Sequence, residues 1–125
     1  MKDMVKIKKK NFLYFFIISI IFFIDRATKL IMINLDDLYG ERNYALTSFI
    51  NLELIWNSGI AFGMLSFENS FYYNLITSII ILITIIIFIM MVKTSGIQKY
   101  GFIMIFGGSI GNIFDRLIYS SVPDF

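Results

Sequence analysis

The sequence contains neither histidine nor cysteine, and each absence excludes a kind of chemistry. Without cysteine the chain can form no disulfide and offers no thiolate nucleophile. Without histidine it lacks the usual general base near neutral pH and the commonest metal ligand. Catalysis would have to use carboxylates, lysine, tyrosine or hydroxyl groups, and neither a metal site nor a cofactor is expected.

Charged residues are also scarce. They make up 16% of the 125 residues, whereas 58% are hydrophobic. Soluble domains carry about 25% charged residues, so the composition indicates a membrane protein. The length predicts a single domain over residues 1–125.

Three apolar segments are long enough to cross a bilayer, which needs about 20 residues. They cover residues 12–33, 71–92 and 100–118. The first segment could instead be a cleaved signal peptide, but a signal peptide would have a shorter apolar region followed by a cleavage site of small residues. We therefore expect a retained first helix and an all-α, antiparallel transmembrane helix bundle.

The lysines predict how the helices are oriented. Five lie within Met1–Lys10, and two more lie in the segment Lys93–Lys99, which has no acid. Under the positive-inside rule both segments are cytoplasmic. A nucleic-acid-binding arm is the alternative for the first, but a membrane segment follows it at once, and no nucleic-acid partner is expected.

The region between the first two spans predicts a small β element. From Ile50 to Trp56 apolar residues mostly alternate with others, which is typical of a strand with one apolar face. Asn57-Ser58-Gly59 predicts a turn, and a short apolar stretch follows over 60–65. We expect a small sheet on the extracytoplasmic membrane surface.

Polar residues beside the apolar segments gather at that same face. Asp25 and Lys29 are spaced i, i+4 near the outer end of the first span, so they either form a simple ion pair or brace a polar site. Asn57 lies in the outer loop, and Asn112, Asp115, Arg116 and Asp124 lie at or beyond the outer end of the third span.

The third span combines small residues with charged ones. Gly107 and Gly111, with Gly108 between them, have the spacing of close helix packing, which would bring Asn112 and Asp115 near a neighbouring helix. Asp115 and Arg116 are interpreted as a charge-compensated pair. Asp124 follows a proline that restricts the backbone, and it is either a catalytic acid or an ordinary surface aspartate.

Two other classes of function are open from these residues alone. Acids within the membrane could serve ion or proton movement in a small transporter or channel subunit. The chain could also be a structural anchor. A transport pathway needs polar groups across the depth of the bilayer. The polar residues of this chain gather at one face, which favours a catalytic or binding site there.

Three sequence blocks resemble those of the lipoprotein signal peptidases (signal peptidase II), which are bacterial membrane aspartyl peptidases. The first is Asp25-Arg26-Ala27-Thr28-Lys29, similar to Asp-x-x-Thr/Ser-Lys. The second runs from Asn57 to Gly63 and is similar to Asn-x-Gly-x-Ala-Phe. The third runs from Gly107 to Arg116 and continues to Val122-Pro123-Asp124-Phe125; it is similar to Gly-Gly-x-x-Gly-Asn-x-x-Asp-Arg followed by Val-x-Asp-Phe.

The resemblance implies a four-helix fold in the bacterial cytoplasmic (inner) membrane, with the active site at the extracytoplasmic face. It also implies removal of signal peptides from prolipoproteins, just before the diacylglyceryl-cysteine, and inhibition by globomycin-type peptides. Membrane lipids and lipid-modified prolipoproteins are the expected partners. Asp124 matches the first of two catalytic aspartates. The residues that match site-supporting or substrate-binding positions are Asp25, Lys29, Asn57, Gly108, Asn112, Asp115 and Arg116.

One departure from the family is large. The second catalytic aspartate is expected in an Asn-x-Ala-Asp motif at the start of a fourth helix, and none of the six aspartates, Asp3, Asp25, Asp36, Asp37, Asp115 and Asp124, has that context. The resemblance therefore implies a C-terminally truncated enzyme that is inactive without the second aspartate.

Overall fold

Three long helices form most of the computed structural model, which describes residues 1–40, 43–60, 64–65 and 69–125. In chain order the elements are α1 (Lys2–Tyr39), β1 (Asn43–Ala45), β2 (Asn51–Glu53), β3 (Ile55–Asn57), α2 (Ser70–Lys93), α3 (Ile97–Tyr119) and β4 (Val122–Asp124). The protein is thus mainly helical, with short strands beside the helix ends.

α1 is longer than the apolar segment predicted within it. Its 38 residues correspond to about 57 Å at 1.5 Å per residue, nearly twice a hydrocarbon core of about 30 Å. The lysine-rich start joins the helix because lysine is a good helix former. At the other end, Gly40 has a left-handed backbone with φ 64° and donates its N–H to the Asp36 carbonyl, which ends the helix.

α1 and α3 lie against each other in the same direction, and glycine makes their close approach possible. A Cβ on Gly107 would come within 2.8 Å of Ile21, and a Cβ on Gly111 would collide with the carboxylate of Asp25. The packing role predicted for this glycine spacing is therefore confirmed. A larger residue at Gly107 would press on the branched side chain of Ile21, and one at Gly111 would displace the Asp25 carboxylate from its present position.

α2 packs on another side of α3 and runs in the opposite direction. The rings of Phe88 and Phe106 are 5.2 Å apart at one end. At the other end the Tyr73 hydroxyl donates to the Arg116 carbonyl at 3.2 Å. α3 is therefore the central helix, and its Ile103 is fully buried.

The helices expose apolar side chains over much of their length. Leu75, Ile79 and Ile86 of α2 are each about half exposed. Large exposed apolar surfaces of this kind mark contact with lipid or another protein. Within the described part of the chain, two helices, α2 and α3, are long and apolar enough to cross a membrane. The predicted first span over 12–33 lies within α1, and its insertion stays a prediction.

The strands of the described residues form two separate antiparallel pairs rather than one sheet. β1 pairs with β2, and β3 pairs with β4 so that Asp124 lies opposite Ile55 and Val122 opposite Asn57. The single strand predicted from Ile50 to Trp56 is therefore wrong: it is divided at Leu54, which is almost fully buried. The predicted apolar stretch over 60–65 and the end of the second sequence block, 61–63, fall largely outside the described residues.

Candidate active site

A buried network of four charges joins α1 to α3. The Asp115 carboxylate has no exposed surface, and it lies between two cations of α1. Lys29 contacts one of its oxygens at 2.6 Å, and Arg26 contacts the other. Lys29 also contacts Asp25 at 2.9 Å, so the predicted i, i+4 pair is confirmed. The two carboxylates and two cations balance, so each buried charge has an opposite partner that offsets part of the cost of burying it.

The predicted pairing of Asp115 with Arg116 is wrong. Consecutive helical residues point about 100° apart, so the two side chains leave α3 in different directions. Arg116 is 5% exposed, donates to the Gly59 carbonyl and lies over the ring of Tyr73. Among the described residues its Nε and one terminal nitrogen have no hydrogen-bond partner.

Asp124 is positioned by the pairing of β3 with β4. Asn57, at the end of β3, donates from its amide nitrogen to one Asp124 oxygen at 2.9 Å and to the Ile60 carbonyl at 2.8 Å. The Asn57 amide oxygen accepts the backbone N–H of Gly59 at 2.8 Å. Asn57 is buried whereas Asp124 is exposed, so a fixed amide holds one oxygen of an accessible acid.

A cleft of about 330 Å³ lies beside this acid. Its walls come from the loop after β3, from α2, α3 and β4, and they are formed by Asn57, Ile60, Ile80, Ser109, Asn112, Arg116, Val122 and Asp124. Asn112 connects the cleft to the charged network, because Lys29 donates to its amide oxygen at 2.9 Å.

The sequence-predicted residues thus fall into two adjoining groups. Asn57, Asn112, Arg116 and Asp124 line the cleft. Asp25, Lys29 and Asp115 lie behind it in the network that joins α1 to α3. Gly108 belongs to neither group: it is half-buried on α3, with no atom within 4 Å of a Cβ placed there.

Sequence reasoning missed Arg26 as a member of the network. It is 8% exposed, pairs with Asp115, and lies over the Phe114 ring at 4.9 Å. Its position beside Asp25 in a run of polar residues was the available signal. Ser109 in the cleft wall and the Gly59 carbonyl that receives Arg116 were missed as well, and no pattern in the sequence marks them.

The arrangement suits acid–base chemistry on a bound water. Asp124 has one oxygen held by an amide, which leaves its second oxygen for a water or a proton. Asn112 and Arg116 add hydrogen-bond donors to the same cleft. Within the described ranges no group of three or more acidic residues is placed to hold a metal ion.

Comparisons with known proteins agree with the sequence blocks. The family model described as signal peptidase (SPase) II matches residues 17–125. The lipoprotein signal peptidase of Pelagibacter ubique (strain HTCC1062) is 48% identical over 121 residues, which is 96% of this chain and 73% of that protein. The one of Janthinobacterium sp. (strain Marseille) is 35% identical over 111 residues, covering 87% of this chain and 66% of that protein.

A third relative, the lipoprotein signal peptidase of Burkholderia cenocepacia (strain HI2424), is 39% identical over 90 residues, covering 70% of this chain and 53% of that protein. The matched region thus spans between about half and three quarters of these curated relatives. No solved structure matches the chain.

Proposed function

Because the chain belongs to the signal peptidase II family, we propose that it carries one half of an intramembrane aspartyl endopeptidase site that removes signal peptides from diacylglyceryl-modified prolipoproteins. The cut falls just before the lipidated cysteine. The observation that carries this proposal is Asp124, an exposed acid whose one oxygen is held by Asn57 at 2.9 Å in a cleft shared with Asn112 and Arg116.

In this mechanism Asp124 works with a second aspartate, which is not among these 125 residues. Two adjacent carboxyl groups share one proton, because ionising both is unfavourable. The ionised carboxylate removes a proton from a water, and the water oxygen bonds to the scissile carbonyl carbon. The protonated carboxyl gives its proton to the carbonyl oxygen. As the C–N bond breaks, the departing amine takes the proton that the first carboxyl removed from the water, and the former carbonyl oxygen returns its proton to the second carboxyl.

The position of the cleft supports a substrate held at a membrane surface. The cleft lies at the end of α3 where the helix meets β4, while α2 and α3 expose apolar side chains along their length. A lipidated cysteine would keep its acyl chains in the bilayer and present the adjoining peptide there. We place the enzyme in the bacterial inner membrane with this face outward, and we expect globomycin-type peptides to block it.

The test is cleavage of a lipid-modified precursor by the full-length gene product and by its Asp124→Asn variant. Asp124→Asn removes the ionisable group without changing shape, so turnover should fall to background while membrane insertion is unchanged. Asp37→Asn is the matched control, since Asp37 is exposed near the end of α1, away from the cleft. Retained turnover in Asp124→Asn would reject the assignment.

The same proposal makes the 125-residue chain inactive by itself. It should insert into membranes but leave a lipid-modified precursor uncut, because it holds Asp124 without a partner acid. The check is to express this chain alone beside the full-length gene product in the same assay. Cleavage by the 125-residue chain that depends on Asp124 would show that one aspartate suffices.

A further inference from the structure

Lys29 uses every hydrogen that its ammonium group can donate. Its nitrogen lies 3.0 Å from Asp25, 2.6 Å from Asp115 and 2.9 Å from the amide oxygen of Asn112. An ammonium has three N–H donors and no acceptor. With 5% of its surface exposed, Lys29 has no donor left for water or for substrate.

This contact determines which end of the Asn112 amide faces the cleft. A primary amide has an oxygen that only accepts hydrogen bonds and a nitrogen that only donates them. Since Lys29 only donates, Asn112 must turn its oxygen toward α1. The NH2 group of Asn112 then points away from Lys29. The Asn112 side chain lines the same cleft as Asp124. Among the residues that the structure describes, none accepts a hydrogen bond from that NH2 group.

We propose that Lys29 is a positioning residue that fixes the Asn112 amide so that its NH2 group donates to the oxygen of the scissile carbonyl. The inference rests on the peptidase function proposed above. As the water attacks the carbonyl carbon, electron density moves onto that oxygen before the carboxyl's proton has fully transferred, and a donor already oriented toward it stabilises the transition state more than the ground state. Asn112 transfers no proton; it only holds the hydrogen bond.

The buried network around Lys29 is balanced in charge, so it adds no net charge beside the cleft while it holds the Asn112 amide. Its positive charge is matched by Asp25 and Asp115, and the latter also pairs with Arg26. While Lys29 is present, two acids face two cations and the network has no net charge, so the direct contact of Lys29 with the cleft is its hydrogen bond to Asn112. Loss of Lys29 would leave that amide free to rotate and to present its oxygen instead.

The first experiment measures kcat and KM of the full-length gene product carrying Asn112→Ala. Removing one oxyanion donor lowers kcat by about 10²–10³-fold, and KM should change little because the bond strengthens in the transition state. Asn112 is exposed, but its truncation leaves one N–H of the buried Lys29 without its acceptor, so we expect some loss of stability, and thermal unfolding is measured beside kcat to show that the variant is folded. Normal kcat in a folded Asn112→Ala variant would overturn the proposal.

The second experiment is a double-mutant cycle with Lys29→Met, Asn112→Ala and the combined variant. If Lys29 acts through Asn112, adding Lys29→Met to Asn112→Ala should lower kcat little further, so the two losses will not add. Additive losses would mean that Lys29 acts separately and would overturn its positioning role. Lys99→Met is the matched control, since Lys99 stacks on Tyr14 at the opposite end of the bundle.

Two further measurements separate the possible failures. If Lys29→Met does not fold, the Asn112→Ala variant alone still decides whether the amide donates to the reaction. Wild-type and Asp124→Asn proteins in the same assay test the peptidase function itself. Cleavage that needs Asp124 but not Asn112 contradicts only the present inference, whereas no cleavage by the wild type removes the basis of both.

Discussion

Asp115 shows how one residue can hold two helices together. It is fully buried on α3 and contacts Arg26 and Lys29, both on α1. The partners Asp115 and Lys29 are 86 positions apart in sequence. Removing the charge of Asp115 would leave the buried cations of α1 without this partner, in a medium of low dielectric constant. Such a loss destabilises a protein far more than the loss of an ion pair on the surface.

We therefore expect Asp115→Asn to lower the free energy of unfolding by about 3–5 kcal/mol, the usual cost of breaking a buried ion pair. The measurement is unfolding in detergent micelles followed by circular dichroism. Asp3→Asn is the control, because Asp3 is exposed in the first turn of α1; surface changes of this kind usually stay within about 0.5 kcal/mol. Equal stability of the two variants would show that the network is unimportant for folding.

At the residue scale, the sequence predicts local contacts but not distant ones. The Asp25–Lys29 pair follows from helix geometry, since i and i+4 share a face. The true partners of Asp115 depend on how α1 and α3 align, and no local pattern contains that information. This is why the adjacent Arg116 was assigned to Asp115 while Arg26 was overlooked.

At the scale of elements, the helices could be predicted because long apolar runs have few other structures in a membrane. The strand break at Leu54 could not be predicted from the sequence. A period of two identifies the buried face, and burial does alternate over 51–56, but it does not say which strand each segment will pair with. β3 pairs with β4, about 65 residues further along the chain, and that pairing is what brings Asn57 to Asp124.

The glycines of α3 provide the test at this scale. Gly111→Ala would put a methyl group against the Asp25 carboxylate, and forced overpacking of this kind typically costs about 1–3 kcal/mol. Gly101→Ala is the matched control on the same helix, because nothing lies within 4 Å of a Cβ there; it should be neutral or stabilising by up to about 1 kcal/mol. Thermal unfolding of both variants gives the comparison, and a stable Gly111→Ala would contradict the close packing.

For the whole molecule, the orientation that we propose in the membrane rests on the distribution of lysine rather than on net charge. The lysine-rich start of α1 and the α2–α3 connection lie at one end of the bundle, where Lys99 stacks on Tyr14. The cleft with Asp124 lies at the other end of α3. Under the positive-inside rule we therefore expect the cleft to lie outside the cytoplasm.

Because these 125 residues contain no cysteine, single introduced thiols can report this orientation. Ser95→Cys lies in the α2–α3 connection and Ser48→Cys in the connection between β1 and β2, and both positions are exposed. A membrane-impermeant maleimide applied to cells with a permeabilised outer membrane should label Ser48→Cys at once, and Ser95→Cys only after the inner membrane is opened. The reverse order of labelling would invert the proposed topology.

The central claim is that the cleft around Asp124 cuts a lipid-modified precursor at one defined bond. The most direct measurement is intact-mass analysis of a prolipoprotein after incubation with the full-length gene product, using lipidated and unlipidated forms of the same precursor. We expect one new N-terminus at the lipidated cysteine, no product with Asp124→Asn, and little or no product from the unlipidated form. Equal cleavage of the unlipidated precursor, or a cut elsewhere in the chain, would contradict it.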